Sequence, residues 1–585
     1  MLRSVLLVTF APLAAILACG PASIPPSPQA MTPPAAIVGS SPTPLPAPPQ
    51  AADIIFLNGN VITMDDAQPS AQAVALWGDR ILAVGSDQQL AAYRGAATLV
   101  VDMEGGTLVP GFIDAHQHRI GDRGKLGIDD PAGVIQPAIQ QGWTSIHELY
   151  VDQARLEELI ELDGAGVLRL HVNAYLPVNE NSREGRLFEE YYRAYRPGDQ
   201  PADGVRVAGL KVFVDFDNAT VLLWSQEALD EFVLERLQEG WQLAVKTVSS
   251  RSLEMILQAV ENAAEQVPDI QNRRVRLEHM LFATPDQIDR IQRLGLVPVV
   301  NLNVPGQLVG EPDIDGLIER EPAGSYAPWR SLAEAGVPFA NTSGWPSFYV
   351  DEPTGAPFGS PIHLIYQAVT RVGNLGTQPY PWLLDQALSP EQAMRALTID
   401  GAFAAFEEDE RGSLTPGKVA DLVLLSGDPF AVPAERINLL EVWMTVIRGV
   451  VAWCAPGHES LCPGAVGPPI GSEDPFVGGW SATDPADGSA MTLEIERAGD
   501  NYEVVLIDAL ASICGVDAAG APLWGLEILA NGAVEGGVLR TTVTELKCLG
   551  DPPTTQSVSL AIDYAYREQD DTLFDSTQDV IWHRR

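Results

Sequence analysis

Lysine is scarce in this chain: Lys125, Lys211, Lys246, Lys418 and Lys547 are the whole complement of 585 residues. With arginine they give 36 basic residues against 77 acidic ones, a formal net charge of −41. So acidic a surface argues against nucleic acid as a partner, and against an anionic lipid surface bound by charge. Long apolar runs are missing as well. Val5 to Leu17 is apolar but too short to span a bilayer permanently. Cysteine is sparse, with five residues. Core material is not lacking, since 46% of the chain is hydrophobic, and the length predicts two to four domains.

Residues 1–19 read as a targeting segment. Arg3 supplies a positive start, and the apolar run closes on Ile16-Leu17-Ala18-Cys19-Gly20. That ending resembles a bacterial lipobox, which implies an extracytoplasmic protein held to a bacterial membrane through a lipid on Cys19. Ordinary signal cleavage beside an incidental cysteine is the alternative. Residues 20–50 are rich in Pro, Ala and Ser without hydrophobic period, the pattern of an extended, disordered tether. An exported chain oxidises its thiols, and four cysteines remain after Cys19. The expected pairs are Cys454 with Cys462, bracketing a Pro-Gly loop, and Cys514 with Cys548. Zinc binding is the alternative, but the spacings match no common zinc pattern.

Short strands punctuated by Asn-Gly and Gly-Asp turns fill residues 52–108 and predict a small β-sheet domain. Its second half is expected at 410–455, where Gly412 to Leu425 reads as turn plus strand and Thr445 to Trp453 as another strand. Between the halves, residues 109–409 alternate strands with helical periods. After a first strand that ends at His118, strands are predicted at Trp143–Leu149, Leu168–Ala174, Val207–Val214, Gln242–Thr247, Arg274–His279, Leu296–Leu302 and Val337–Thr342. Helices are expected at Leu156–Leu162, Glu227–Gln238 and Ser252–Ala264. Eight such units make an α/β fold, a TIM (β/α)8 barrel whose site lies at the strands' carboxyl ends. Residues 472–585 turn to alternating strands and predict an all-β domain, a small barrel or sandwich. Its opening, Phe476 to Trp480, weakly resembles lipocalin-like lipoprotein domains, and its His583 gets no catalytic role.

The most informative stretch is Val109-Pro110-Gly111-Phe112-Ile113-Asp114-Ala115-His116-Gln117-His118. It is an apolar strand ending in two histidines at a spacing of two. Alternate strand residues point the same way, so His116 and His118 aim at one spot past the strand's end. Two neutral imidazoles on one point are half of a metal site. With its Pro-Gly-Phe-Ile-Asp-Ala lead, this run resembles the amidohydrolase superfamily, and more narrowly its amidohydrolase-3 (YtcJ-like) group, over residues 52 to 455. Gly-Ser-Leu-Thr-Pro-Gly-Lys418-Val-Ala-Asp421-Leu, a turn-and-strand device, is shared with that group too.

The resemblance implies a metal-dependent hydrolase of amide or cyclic amide C–N bonds, acting on a small molecule. Carried over position by position, it makes His116, His118, Lys211 and His279 the metal ligands. Lys211, in Gly209-Leu210-Lys211-Val212-Phe213, would be carboxylated to an anionic bridge; a lysine ion-paired with Asp215 or Asp217 is the other reading. Two positions depart from the group's pattern. Lys246 stands where it has histidine on the fifth strand, and Gly344 stands where it has the aspartate that ligates metal and accepts the water's proton. Lys246, protonated near neutral pH, would repel a second cation or stand in for its charge. One divalent ion, zinc by its suitability for imidazole, is expected rather than two. Glu148 is the nearest candidate to replace the lost base. His147 is read either as pocket lining or as structural, His171 as structural, and His363 and His458 as surface residues. A short connection after the first strand predicts an open pocket. Two functions fit: an exported amide hydrolase, or a binding or scaffolding lipoprotein on a decayed enzyme barrel.

Overall fold

Eight short strands, most of them buried runs rich in Val, Ile, Leu and Ala, wind into a parallel barrel: β1 (Phe112–Gln117), β2 (Trp143–Leu149), β3 (His171–Pro177), β4 (Val205–Phe213), β5 (Gln242–Lys246), β6 (Arg276–Glu278), β7 (Val297–Val300) and β8 (Ala340–Asn341). They lie side by side in chain order. The computed structural model describes residues 50–584, apart from residue 189, segments 217–220, 304–311, 345–358 and 374–378, and several connections beyond 455. The targeting segment, Cys19, nearly all of the tether, Asp217 and Cys514 lie outside the described residues.

The barrel's seam is held by side chains. Thr342 Oγ1 donates to the His116 carbonyl at 2.6 Å, and the Ser343 N–H donates to Asp114 Oδ1 at 3.0 Å. These bonds tie the end of β8 to β1, the strand that carries the histidines.

Helices cover the outside, and several are started by a side-chain cap that satisfies an orphan N–H group of the first turn. Asp152 caps α1 (Gln153–Gly164), Ser225 caps α2 (Gln226–Gln238), and Ser249 forms a capping box with Ser252 on α3 (Ser250–Ala264). Thr284 and Gln287 box α4 (Pro285–Leu294), and Ser360 caps α5 (Pro361–Thr370). On α3 the buried Leu253, Ile256, Leu257 and Val260 follow helical spacing and face the strands. Burying each contributes roughly 1.5–3 kcal/mol.

A β layer closes the other end of the chain path. Leu422–Leu425 pairs antiparallel with Thr107–Pro110, immediately before β1, and Thr107–Leu108 pairs with Asn60–Val61. Asp421, within the Gly-Lys-Val-Ala-Asp run, docks this layer onto the barrel. Its carbonyl accepts from Gly111 N–H at 2.9 Å, and its carboxylate lies 3.1 Å from His171 Nε2. His171 is thus structural. A disulfide joins Cys454 to Cys462, Cα atoms 6.5 Å apart, and Cys548 is disulfide-bonded.

Beyond 476, nine strands are described from Gly478–Thr483 to Val580–Arg584; eight pair antiparallel in a ring whose first and last meet at Trp480 and Arg584, and the ninth, Thr554–Gln556, pairs beside it with Leu546–Cys548. Of the two forms expected, this is a barrel. Its interior is filled by alternating residues such as Met491, Leu493, Ile495, Val504 and Leu506. Among the described residues no helix is long and apolar enough to cross a membrane.

Candidate metal centre

Sequence alternation places His116 inside the barrel, and β6 delivers His279 beside it. The ring centroids of His116 and His279 are 4.2 Å apart, and those of His116 and His118 5.3 Å. Each ring is held by its Nδ1. That of His116 meets Glu278 Oε2 at 2.5 Å, that of His118 the Leu149 carbonyl at 2.9 Å, and that of His279 Asn301 Oδ1 at 2.9 Å. All three partners accept, so each Nδ1 carries the hydrogen and each Nε2 keeps its lone pair. Outer acceptors that fix the tautomer are the usual support of metal-ligating imidazoles. His116 Nε2 is buried with no hydrogen-bond partner among the described residues. Burial, then the nearby Lys211 charge, pushes His118 down to about 4, and burial holds His116 and His279 well below the ordinary imidazole value. All three are therefore neutral at physiological pH, as ligation requires.

Lys211 lies on β4 among these rings, 1% exposed, with no hydrogen-bond partner for its Nζ among the described residues. Burial pushes it down to about 7. Asp215 does not pair with Lys211; it approaches Lys246, Oδ1 to Nζ at 3.9 Å, while Oδ2 accepts from Val248 N–H and Ser252 Oγ. The two lysines flank the Phe213 ring, at 5.2 Å for Lys211 and 5.9 Å for Lys246. Lys246 thus stands beside the cluster.

No three His, Cys, Asp or Glu side chains among the described residues already stand at metal-ligand spacing. The donor chemistry nevertheless fits a divalent ion: three neutral imidazoles, each held at Nδ1 by an acceptor, and beside them an amine without a hydrogen-bond partner among the described residues. Gly344, N–H bonded to Thr342 Oγ1, follows β8 at φ +67° and offers no side chain.

Glu148 is not brought to the rings. On β2 it points away from the barrel interior and accepts from Gln117 Nε2 at 2.5 Å and from the Gly121 N–H at 2.8 Å, with the Ile120 N–H at 3.4 Å. Burial pushes it up to about 7. It organises the connection after β1. Of the two histidines before that connection, His116 is fully buried and His118 half-buried.

Sequence reasoning missed Glu278 and Arg276. Both are fully buried on β6, and Arg276 Nε donates to Glu278 Oε1 at 2.7 Å. Arg276 also bonds His147 Nδ1 at 2.9 Å and the Ala115 carbonyl at 2.5 Å, and stacks 4.5 Å from the Tyr175 ring. His147 therefore belongs to the barrel's polar interior. The available signal was charge at a period of two inside an apolar strand. His363 is half-buried in α5, and His458 stacks on Trp443 at 4.5 Å, so neither is a plain surface residue.

Residues 132–452 match the model of the amidohydrolase family. The chain is 23% identical over 524 residues to Protein LONG AFTER FAR-RED 3 of Arabidopsis thaliana, covering 64% of this chain and 87% of that protein. It is 27% identical to the N-substituted formamide deformylase of Arthrobacter pascens, over 39% of this chain and 40% of the relative. The putative amidohydrolase YtcJ of Bacillus subtilis is also 27% identical, over 43% and 45%. The chain thus spans less than half the length of these last two. In fold it is similar to an uncharacterized metal-dependent hydrolase from Pyrococcus furiosus, with a TM-score of 0.52 and 16% identity, covering 64% of this chain and 99% of that one.

Proposed function

This chain belongs to the amidohydrolase family, and from that premise we propose that it is an exported, membrane-anchored hydrolase of non-peptide C–N bonds in small amides or cyclic amides, using one divalent ion, zinc. The observation that carries this reading is the trio His116, His118 and His279, three neutral rings held at Nδ1, with His116 Nε2 buried and without a hydrogen-bond partner among the described residues. The relative named for deformylating N-substituted formamides supports the choice of bond.

A bound divalent ion would supply a Lewis acid for the carbonyl and lower the pKa of water. The three imidazoles would hold it, with Lys211 as a further donor. At a pKa near 7 a share of Lys211 is a free amine. That amine can add to carbon dioxide, releasing a proton to solvent and leaving a carbamate anion. Glu278 keeps His116 in the required tautomer, and Arg276 holds Glu278. Burial lowers the pKa of Lys246 beside the site, and the Asp215 carboxylate opposes that shift. Glu148 remains the notional base, but its three donors commit it elsewhere, so proton transfer is expected to be inefficient.

Elemental analysis of purified protein tests the reading, beside assays on N-substituted formamides and cyclic amides. About one tightly held ion per chain is expected, lost in His279→Ala, with slow but metal-dependent turnover. A second reading, a catalytically impaired binding or scaffolding lipoprotein, is favoured by Gly344, where a proton acceptor is missing. It predicts the ion without turnover. The anchoring has its own check, mass spectrometry of the mature N-terminus. A lipid-modified Cys19 is expected, and an unmodified N-terminus elsewhere sinks the anchor.

A further inference from the structure

Tyr150, the residue directly after β2, has φ +66°. That is left-handed backbone, which glycine takes freely and a bulky side chain rarely adopts. Strain of this kind persists only where the surroundings over-determine it, and it gathers at functional sites. His279, at the end of β6, shares the feature at φ +56°.

The surroundings of Tyr150 fix it on three sides. Downstream, the Val151 N–H donates to the Tyr175 carbonyl at 3.0 Å, the Val151 carbonyl accepts from the Tyr191 hydroxyl, and Asp152 caps α1. Upstream, the Leu149 carbonyl is the acceptor that holds His118 Nδ1 at 2.9 Å. Rotation about φ of Tyr150 is what orients that carbonyl relative to Val151. With Val151 pinned to β3, an extended or right-handed φ would turn the carbonyl away from His118. The third side is the ring. It meets Phe188 edge-on at 5.9 Å and Phe213 edge-on at 5.8 Å. Phe213 is the β4 residue over whose ring Lys211 lies, Nζ at 5.2 Å.

One residue thus touches two donors of the centre through two different parts of itself. We propose that Tyr150 is a positioning residue of the metal centre: its left-handed backbone keeps the Leu149 carbonyl on His118, and its ring braces Phe213 beside Lys211. This rests on the reading of the three imidazoles as metal ligands.

The test is metal binding by the full chain, freed of metal and folded as judged by its melting curve. Zinc is titrated against a competing chelator, and cobalt(II) is added to a second sample to read its visible spectrum. Tyr150→Phe keeps the ring and should bind as wild type does. Tyr150→Gly loses the ring but takes positive φ without strain, whereas Tyr150→Val keeps more side-chain volume and, being β-branched, resists it. Zinc affinity should therefore fall by about 10- to 100-fold in Tyr150→Val, the loss expected when the outer support of a ligand goes, and by less in Tyr150→Gly. The cobalt spectrum should change in Tyr150→Val and stay close to wild type in Tyr150→Gly. A residue that merely fills space gives the opposite order, since glycine leaves the larger void. Should Tyr150→Val not fold, Tyr150→Asn, which tolerates the left-handed region, against Tyr150→Leu, which does not, makes the same comparison. Affinity in Tyr150→Val equal to or above that in Tyr150→Gly, or weak binding by Tyr150→Phe, overturns the proposal and leaves the metal centre standing. A wild type that takes up neither ion overturns both.

Discussion

Restoring the two departed positions together, Lys246→His with Gly344→Asp, is expected to raise the metal content from about one ion per chain toward two, and amide hydrolysis by about 100- to 10,000-fold. Histidine removes the ammonium that repels a second cation and supplies a neutral ligand at the same point of β5. Aspartate supplies the missing proton acceptor. The backbone permits it: Gly344 sits at φ +67°, and aspartate is among the few side chains that tolerate the left-handed region. Loss of Lys246 leaves Asp215 buried, but Val248 N–H and Ser252 Oγ still donate to it. Elemental analysis and amide assays of wild type and double variant check the result. Two tight ions and brisk turnover already in the wild type would mean that the ligands are misassigned.

The second large effect is expected at Glu278. Glu278→Ala should lower folding stability by about 3–5 kcal/mol, because it strands the fully buried Arg276 without its carboxylate. Glu278→Gln is the gentler probe. It keeps the shape and removes the charge, and should weaken metal binding by roughly 10- to 100-fold by loosening the His116 tautomer. Chemical denaturation of the metal-free protein reads the first effect, and a competitive chelator titration reads the second. A Glu278→Gln protein that binds metal as wild type does would remove Glu278 from the support of the site.

The barrel was legible because its signals are local. Trp143–Leu149 was bounded correctly from its own residues, and α3 was found from its helical period, with its end right and its start two residues late. The His116–His118 pair was legible for the same reason. What failed was pairing across the fold. Glu278 finds His116 from 162 positions away, and nothing beside either residue announces the partner. On paper Lys211 is much the nearer of the two lysines to Asp215, yet the register that sets Phe213 opposite Lys246 brings Lys246 to it. Glu148 was within reach of simple reasoning. His147 faces inward, and its strand neighbour must then face outward.

The pairing of Leu422–Leu425 with Thr107–Pro110 also sets a timetable. The strand that leads into the first barrel strand must wait for a neighbour encoded roughly three hundred residues later. At typical elongation rates that wait is on the order of 15–60 s. Throughout it an apolar edge has no ladder partner on that side, and contacts of such sequence separation form late and slowly. Nascent chains are then open to wrong pairing. The conditions that govern yield in this protein are those that shield the early edge until the late strand arrives.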